Sequence, residues 1–130
     1  MSDFLTLKAD IIKNFGTPCA VVDLDVLEKN ISRVQKICDD AGLANRPHIK
    51  THKSGKVARM QVDAGASGVT CQKLGEAEVM AAAGITDILI ATNLLGAAAS
   101  GTLAALQSRI ALKVCADNAY SISAYSDAAS

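Results

Sequence analysis

From Thr17 onward, short apolar runs alternate with longer stretches whose apolar residues recur at helical spacing. The first run, Pro18–Leu24, predicts a strand. Asp25 then stands as an N-cap for a helix over Val26–Ala41, in which Leu27, Ile31, Val34 and Ile37 share a stripe and Gly42 ends the pattern. Arg46–Lys50 predicts a short strand, Ser54–Ala64 a helix closed by Gly65, and Gly68–Gln72 a buried strand. Glu76–Ala83 reads as a helix ending at Gly84, and Asp87–Thr92 (DILIAT) is the clearest strand in the chain. Thr102–Gln107 is helical, Ala111–Ala116 a further apolar strand, and Asn118–Ala129 a last helix.

Strands parted by helices, with apolar runs that do not alternate, describe parallel strands buried by helices. The strand ends at Lys50, Gln72, Thr92 and Asp117 follow one another at intervals of roughly twenty to twenty-five residues, the length of a βα unit. This periodicity fits a barrel wall and an open doubly wound sheet equally. The 130 residues are enough for one domain with a core, but four βα units are half of an eight-stranded barrel of about 250 residues. The last helical pattern runs to Ser130 without a glycine or polar cap, so the sequence is expected to be a fragment.

Composition narrows the partners. Half of the residues are hydrophobic and 13 basic side chains balance 13 acidic ones, so no charge excess favours nucleic acid or an anionic membrane. Aromatic residues make up only 3%, too few for a base-stacking platform. Cys19, Cys38, Cys71 and Cys115 form no C-x-x-C pair, which argues against a zinc knuckle or disulfide framework. Cys19, Cys71 and Cys115 lie in apolar runs, where a reduced thiol acts as a small hydrophobe, so a cytoplasmic setting is expected. Met1–Asn14 mixes charges into its apolar residues and is no signal peptide, and no run reaches membrane-spanning length.

The segment Arg46-Pro47-His48-Ile49-Lys50-Thr51-His52-Lys53-Ser54 is unusually polar for a strand and its exit. In α/β folds the functional groups gather at the carboxyl ends of strands, where Lys50 stands. An amine partly stripped of water there is a better nucleophile toward an aldehyde. A lysine at a strand end is nevertheless most often a solvated surface charge. His48 and His52 are four apart, a metal-pair spacing on a helix, but Pro47 and the strand pattern oppose a helix. His48 is two residues from Lys50 and can line the same pocket or simply pack. Gln72, Thr92 and Asn93 occupy the equivalent edge one and two units later; binding and ordinary turn capping are equally open for them. Glu76 and Glu78 fall in a first helical turn, where carboxylates complement the helix dipole, and Lys53 reads as a solvated charge.

RPHIKTHKS, followed by GASGVTCQKLGEAEVMAAAGITDILIATNLLG, resembles the D-threonine aldolase family. Its relatives include eukaryotic-type D-serine dehydratase and 3-hydroxyaspartate aldolase, all fold-type III pyridoxal-phosphate enzymes. TPCAVVDLDVLEKNI and CADNAYSISAYSDAAS extend the similarity over nearly the whole chain from Thr17. The resemblance implies the first half of an alanine-racemase-like (β/α)8 TIM barrel, preceded by a strand belonging to a separate β-domain. Residues 1–44 would then be an N-terminal strand and packing helix, and residues 45–130 barrel strands one to four.

It also implies that Lys50, the first lysine of H-x-K-x-H-K, carries pyridoxal 5'-phosphate covalently; His48, Gln72 and Thr92 are further candidates for cofactor contact from their places at the strand ends. A divalent metal ion is implied too, with its ligands, the catalytic base and most of the phosphate cup outside this chain, so no residue here is a metal ligand. The implied activity is cleavage of a small D-3-hydroxy amino acid (D-threonine or 3-hydroxyaspartate type) to glycine and an aldehyde. D-serine dehydration and a non-catalytic cofactor-binding role remain open, as does inactivity of the isolated piece. No nucleic-acid or membrane partner is expected, and a homodimer is compatible with the whole protein.

Overall fold

The computed structural model describes residues 2–94 and 96–129. Helix α1 (Ser2–Phe15) and helix α2 (Leu24–Asp40) come first, followed by a 3-10 turn (Ile49–Thr51) and α3 (Gly55–Asp63). Strand and helix then alternate: β1 (Val69–Cys71), α4 (Leu74–Ala82), β2 (Asp87–Ile90), α5 (Ala97–Gln107), β3 (Ala111–Val114) and α6 (Ala119–Ala129). The three strands are parallel and lie in chain order, with Val69 level with Ile88 and Ile88 level with Leu112. A single parallel bridge, His48 to Thr70, adds the preceding segment at the free edge of β1.

Burial distinguishes between the two folds left open by periodicity. Val69, Cys71, Ile88 and Ile90 are fully buried, packed with Ala77, Met80, Leu103 and Leu106 from the helices. The alternate positions form the other face, where Thr70 is buried, Asp87 and Leu89 are half-buried and Ala111 and Lys113 exposed, so that it opens from β1 toward β3. Strands alternate their side chains between faces, so the helices cover one side of the sheet only. A doubly wound sheet is covered on both sides; sequential parallel strands with one-sided helices form a segment of barrel wall. The expected half-barrel architecture is the one observed.

Three local expectations are corrected. Pro18–Leu24 is not a strand: residues 18–23 carry no regular structure, Leu24 begins α2, and no strand partner for the segment lies among the described residues. A strand persists only where its backbone groups are paired. The cap of α2 is Asp23 rather than Asp25, its carboxylate accepting from the Val26 N–H at 3.0 Å. Arg46–Lys50 narrows to the His48 bridge, because the chain turns at once: His48 Nδ1 accepts from the Lys50 N–H at 3.2 Å and the Ile49 carbonyl from the Lys53 N–H at 2.8 Å.

Helix α1 was unanticipated, although Phe4, Leu7, Ile11 and Phe15 recur at helical spacing before Gly16. Of the three cysteines expected to be buried, Cys71 is, whereas Cys19 and Cys115 are exposed. No described helix is long and apolar enough to cross a membrane.

Candidate active site

The carboxyl ends of the strands gather the predicted residues at one edge. The His48–Thr70 bridge sets the turn that carries Lys50 beside the end of β1, and the β1–β2 register, continued by one residue, sets Gln72 level with Ala91. Lys50 lies in the 3-10 turn rather than in a strand, and its side chain is exposed. The expected partial desolvation is therefore absent, since the uncovered sheet face puts nothing over it. Lys36, Lys53 and Lys113 each pair with a carboxylate, whereas among the described residues the amine of Lys50, like those of Lys8, Lys13, Lys29 and Lys56, has no partner; what sets Lys50 apart is its place at the strand ends.

His48 is half-buried and spends Nδ1 on the Lys50 N–H, so it holds the turn that presents the lysine. Gln72 is half-buried one strand over; its backbone N–H donates to Glu76 Oε2 at 2.9 Å, which leaves its amide uncommitted to the helix cap. Thr92 lies one residue beyond the Gln72–Ala91 pair, after β2 has ended, and is half-buried in a bend. Beside it Asn93 keeps a buried Oδ1 without a hydrogen-bond partner among the described residues. Of the two roles the sequence leaves open for Asn93, binding and turn capping, an orphaned acceptor at the site edge favours binding.

His52 turns away from the edge and is not grouped with His48. Its Nδ1 accepts from the Ser54 N–H at 3.1 Å, and Ser54 in turn caps α3 through Val57. Burial pushes the imidazole below its ordinary range, against the opposing pull of the nearby Gln61 side chain and the Ser54 N–H. No group of three or more His, Cys, Asp or Glu side chains able to hold a metal ion occurs among the described residues.

Glu76 has more contacts than a dipole-complementing carboxylate. It accepts from the N–H groups of Gln72 and Lys73 and pairs with Lys53 Nζ at 3.3 Å. Desolvation raises its titration, but the Gln72 N–H, the Lys53 amine and the Lys73 N–H together outweigh it and hold the carboxyl below the usual range. At the opposite, amino end of the strands, Asp87 accepts from Arg46 at 2.7 Å and from Lys113 at 2.6 Å. The Arg46 hydrogen bond leads in keeping that carboxyl low, against desolvation and with help from Lys113.

Residues 22–130 match the alanine racemase N-terminal domain. The chain belongs to that family. Among curated relatives it is 39% identical over 119 residues to the D-threonine aldolase of an Arthrobacter species, covering 92% of this chain and 31% of that protein. It is 49% identical over 85 residues to the D-threo-3-hydroxyaspartate dehydratase of Delftia sp. (strain HT23), covering 65% of this chain and 22% of the dehydratase. The crystal structure of D-threonine aldolase from Filomicrobium marinum superposes with a TM-score of 0.85 at 39% identity, over 87% of this chain and 31% of that one. The chain thus spans between about a fifth and a third of the length of these relatives, and within the family fold it supplies one segment of the barrel wall.

Proposed function

We propose that the full-length protein is a pyridoxal-phosphate-dependent lyase that cleaves a D-3-hydroxy amino acid between Cα and Cβ, releasing glycine and an aldehyde. The observation that carries this reading is the partnerless amine of Lys50 at the carboxyl edge of the strands, inside the H-x-K-x-H-K segment. The residues present fit the cofactor: a free amine for its aldehyde, a Gln72 amide one strand away and the orphaned Asn93 acceptor two strands away. Pyridoxal phosphate bound there supplies an electron sink for the bond that breaks. Lys50 would hold the aldehyde carbon, His48 would fix the turn beneath it, and Gln72 and Thr92 would line the adjoining wall. The names of the relatives support a lyase acting on such substrates.

Borohydride reduction of the loaded full-length protein, followed by peptide mapping, should place a pyridoxyl label on Lys50. A label on Lys53 or Lys56, or a Lys50→Ala protein that keeps the visible band of the bound cofactor, would refute the assignment.

A second reading has a specific observation behind it, because the 49%-identical relative is a dehydratase. Dehydration expels the β-oxygen, whereas retro-aldol cleavage needs that oxygen as an alkoxide, which a divalent cation beside it stabilises. A metal assists either path, so products decide. The expected outcome is glycine from D-threonine or a D-3-hydroxyaspartate, suppressed by a chelator, with the metal ligands drawn from outside this chain. Pyruvate and ammonia from D-serine, with no glycine from D-threonine, would establish dehydration instead.

A further inference from the structure

We propose that Lys53 and Glu76 are positioning residues whose ion pair ties the turn carrying Lys50 to the loop carrying Gln72. This rests on the reading of Lys50 as the cofactor lysine.

The first support is the backbone. Lys53 is the one non-glycine residue among those described with a positive φ, at 50°. Side chains disfavour that region, and such residues persist where the surroundings hold them. Here the Ile49 carbonyl accepts from both His52 and Lys53 N–H groups, at 3.2 and 2.8 Å, and closes the turn just past Lys50. The backbone goes on through Ser54 into α3, while the Lys53 side chain reaches the first turn of α4. Its amine meets Glu76 Oε1 there at 3.3 Å.

The second support is the carboxylate. The Glu76 side chain is only 10% exposed, although it sits at a helix start where the dipole alone would leave it in water. Glu78, two residues on, is exposed. Glu76 divides its oxygens: Oε2 takes the Gln72 and Lys73 N–H groups, and Oε1 takes Lys53. One carboxylate therefore holds the backbone on which Gln72 stands and the residue three past Lys50. Among the described residues no other ion pair joins the first and second strand-exit loops; the remaining ones lie within α2 or at the amino ends of the strands.

A purely structural cap makes a different demand. It needs Oε2 and is indifferent to Lys53, whose side chain is 60% exposed and removable without opening the core. Lys53→Met is thus the decisive variant, Lys53→Arg its rescue, and Glu76→Gln a second probe that keeps a cap acceptor while discarding the charge.

The experiment uses the full-length protein. Apo-protein is titrated with pyridoxal phosphate by absorbance, amide exchange is followed over residues 49–54 and 72–73, and steady-state rates are measured on a D-3-hydroxy amino acid. Lys53→Met is expected to weaken cofactor uptake and lower kcat by on the order of tenfold with little change in KM. Exchange over residues 49–54 should rise while that of the Gln72 and Lys73 amides holds. Lys53→Arg should restore the wild-type values, and Glu76→Gln should repeat the losses. If Lys53→Met takes up cofactor, turns over and exchanges like wild type, Glu76 is a cap only and the proposal is overturned. Failure of the wild-type protein itself to take up pyridoxal phosphate would instead overturn the parent reading, and this inference with it.

Discussion

Gly68 shows how much can depend on one missing side chain. Arg46, Gly68, Asp87 and Ala111 stand level across adjacent strands. The Arg46 guanidinium crosses over Gly68 to reach Asp87, and a Cβ at 68 would collide with both that guanidinium and the Asp87 backbone oxygen. Gly68 also has φ 147°, a region side chains avoid. Gly68→Ala should therefore destabilise the full-length protein by about 2–3 kcal/mol, read as a lower denaturant midpoint at unchanged slope. An unmoved midpoint would mean that Arg46 relaxes without loss. The sequence marked Gly68 only as the start of a strand; its real constraint comes from residues 22 positions before it and 19 after it, which no local pattern contains.

Cysteine chemistry follows the same residue-level logic. Burial, with a smaller contribution from the Glu76 charge, pushes the Cys71 thiol up to about 12, whereas Cys19 and Cys115 are exposed. The thiolate is the reactive form. Maleimide labelling of the native protein near neutral pH, read by peptide mass spectrometry, should modify Cys19 and Cys115 and spare Cys71 until denaturant is added. Early modification at Cys71 would mean that the β1 core opens readily.

At the scale of elements, the central strands were legible because buried parallel strands are continuous apolar runs, and helices α2, α3 and α4 because Gly42, Gly65 and Gly84 mark their ends. Val69–Cys71, Asp87–Ile90 and Ala111–Val114 all fall inside the predicted runs, each shorter than its run. Apolarity does not record where pairing stops, so the strand exits are shorter than the apolar runs: the run Asp87–Thr92 predicts a strand to Thr92, and β2 finishes at Ile90. The turn after His48 was missed for another reason. It is made by a histidine side chain and by a lysine in a left-handed conformation, neither a residue type that announces a turn.

His52 anchors this element and gives it a pH dependence. Its neutral form is favoured in the fold, so its contribution to stability is complete above the unfolded value of about 6.5 and is lost as pH falls below it. Denaturation of the full-length protein at pH 7.5 and 5.5 should show lower stability at 5.5, with a slope of at most about 1.4 kcal/mol per pH unit from this group. His52→Gln should flatten that slope. An identical slope in the variant would assign the dependence to other groups.

At the scale of the whole molecule, the organising fact is one-sided burial. Helices seal one face of the sheet to a core of Ile49, Val69, Cys71, Ile88 and Ile90, while Ala111 and Lys113 stand in the open on the other face. Among the described residues the His48 segment has only one partner strand, β1, and β3 has only β2. Phe4, Leu5, Leu7, Phe15, Val21 and Val22 are each more than half exposed. In a closed barrel every strand has two neighbours and the inner face is filled by layers of side chains. Unpaired edges and clustered apolar residues instead favour association with further chains. The 130-residue polypeptide, expressed alone, should therefore self-associate, bind an apolar dye and lack turnover, whereas the full-length protein should not bind the dye. Sedimentation velocity across a tenfold concentration range tests this directly: the isolated chain should shift to faster-sedimenting species as concentration rises. A concentration-independent monomer with a cooperative melt would show that burial on one face alone suffices to hold this segment of wall.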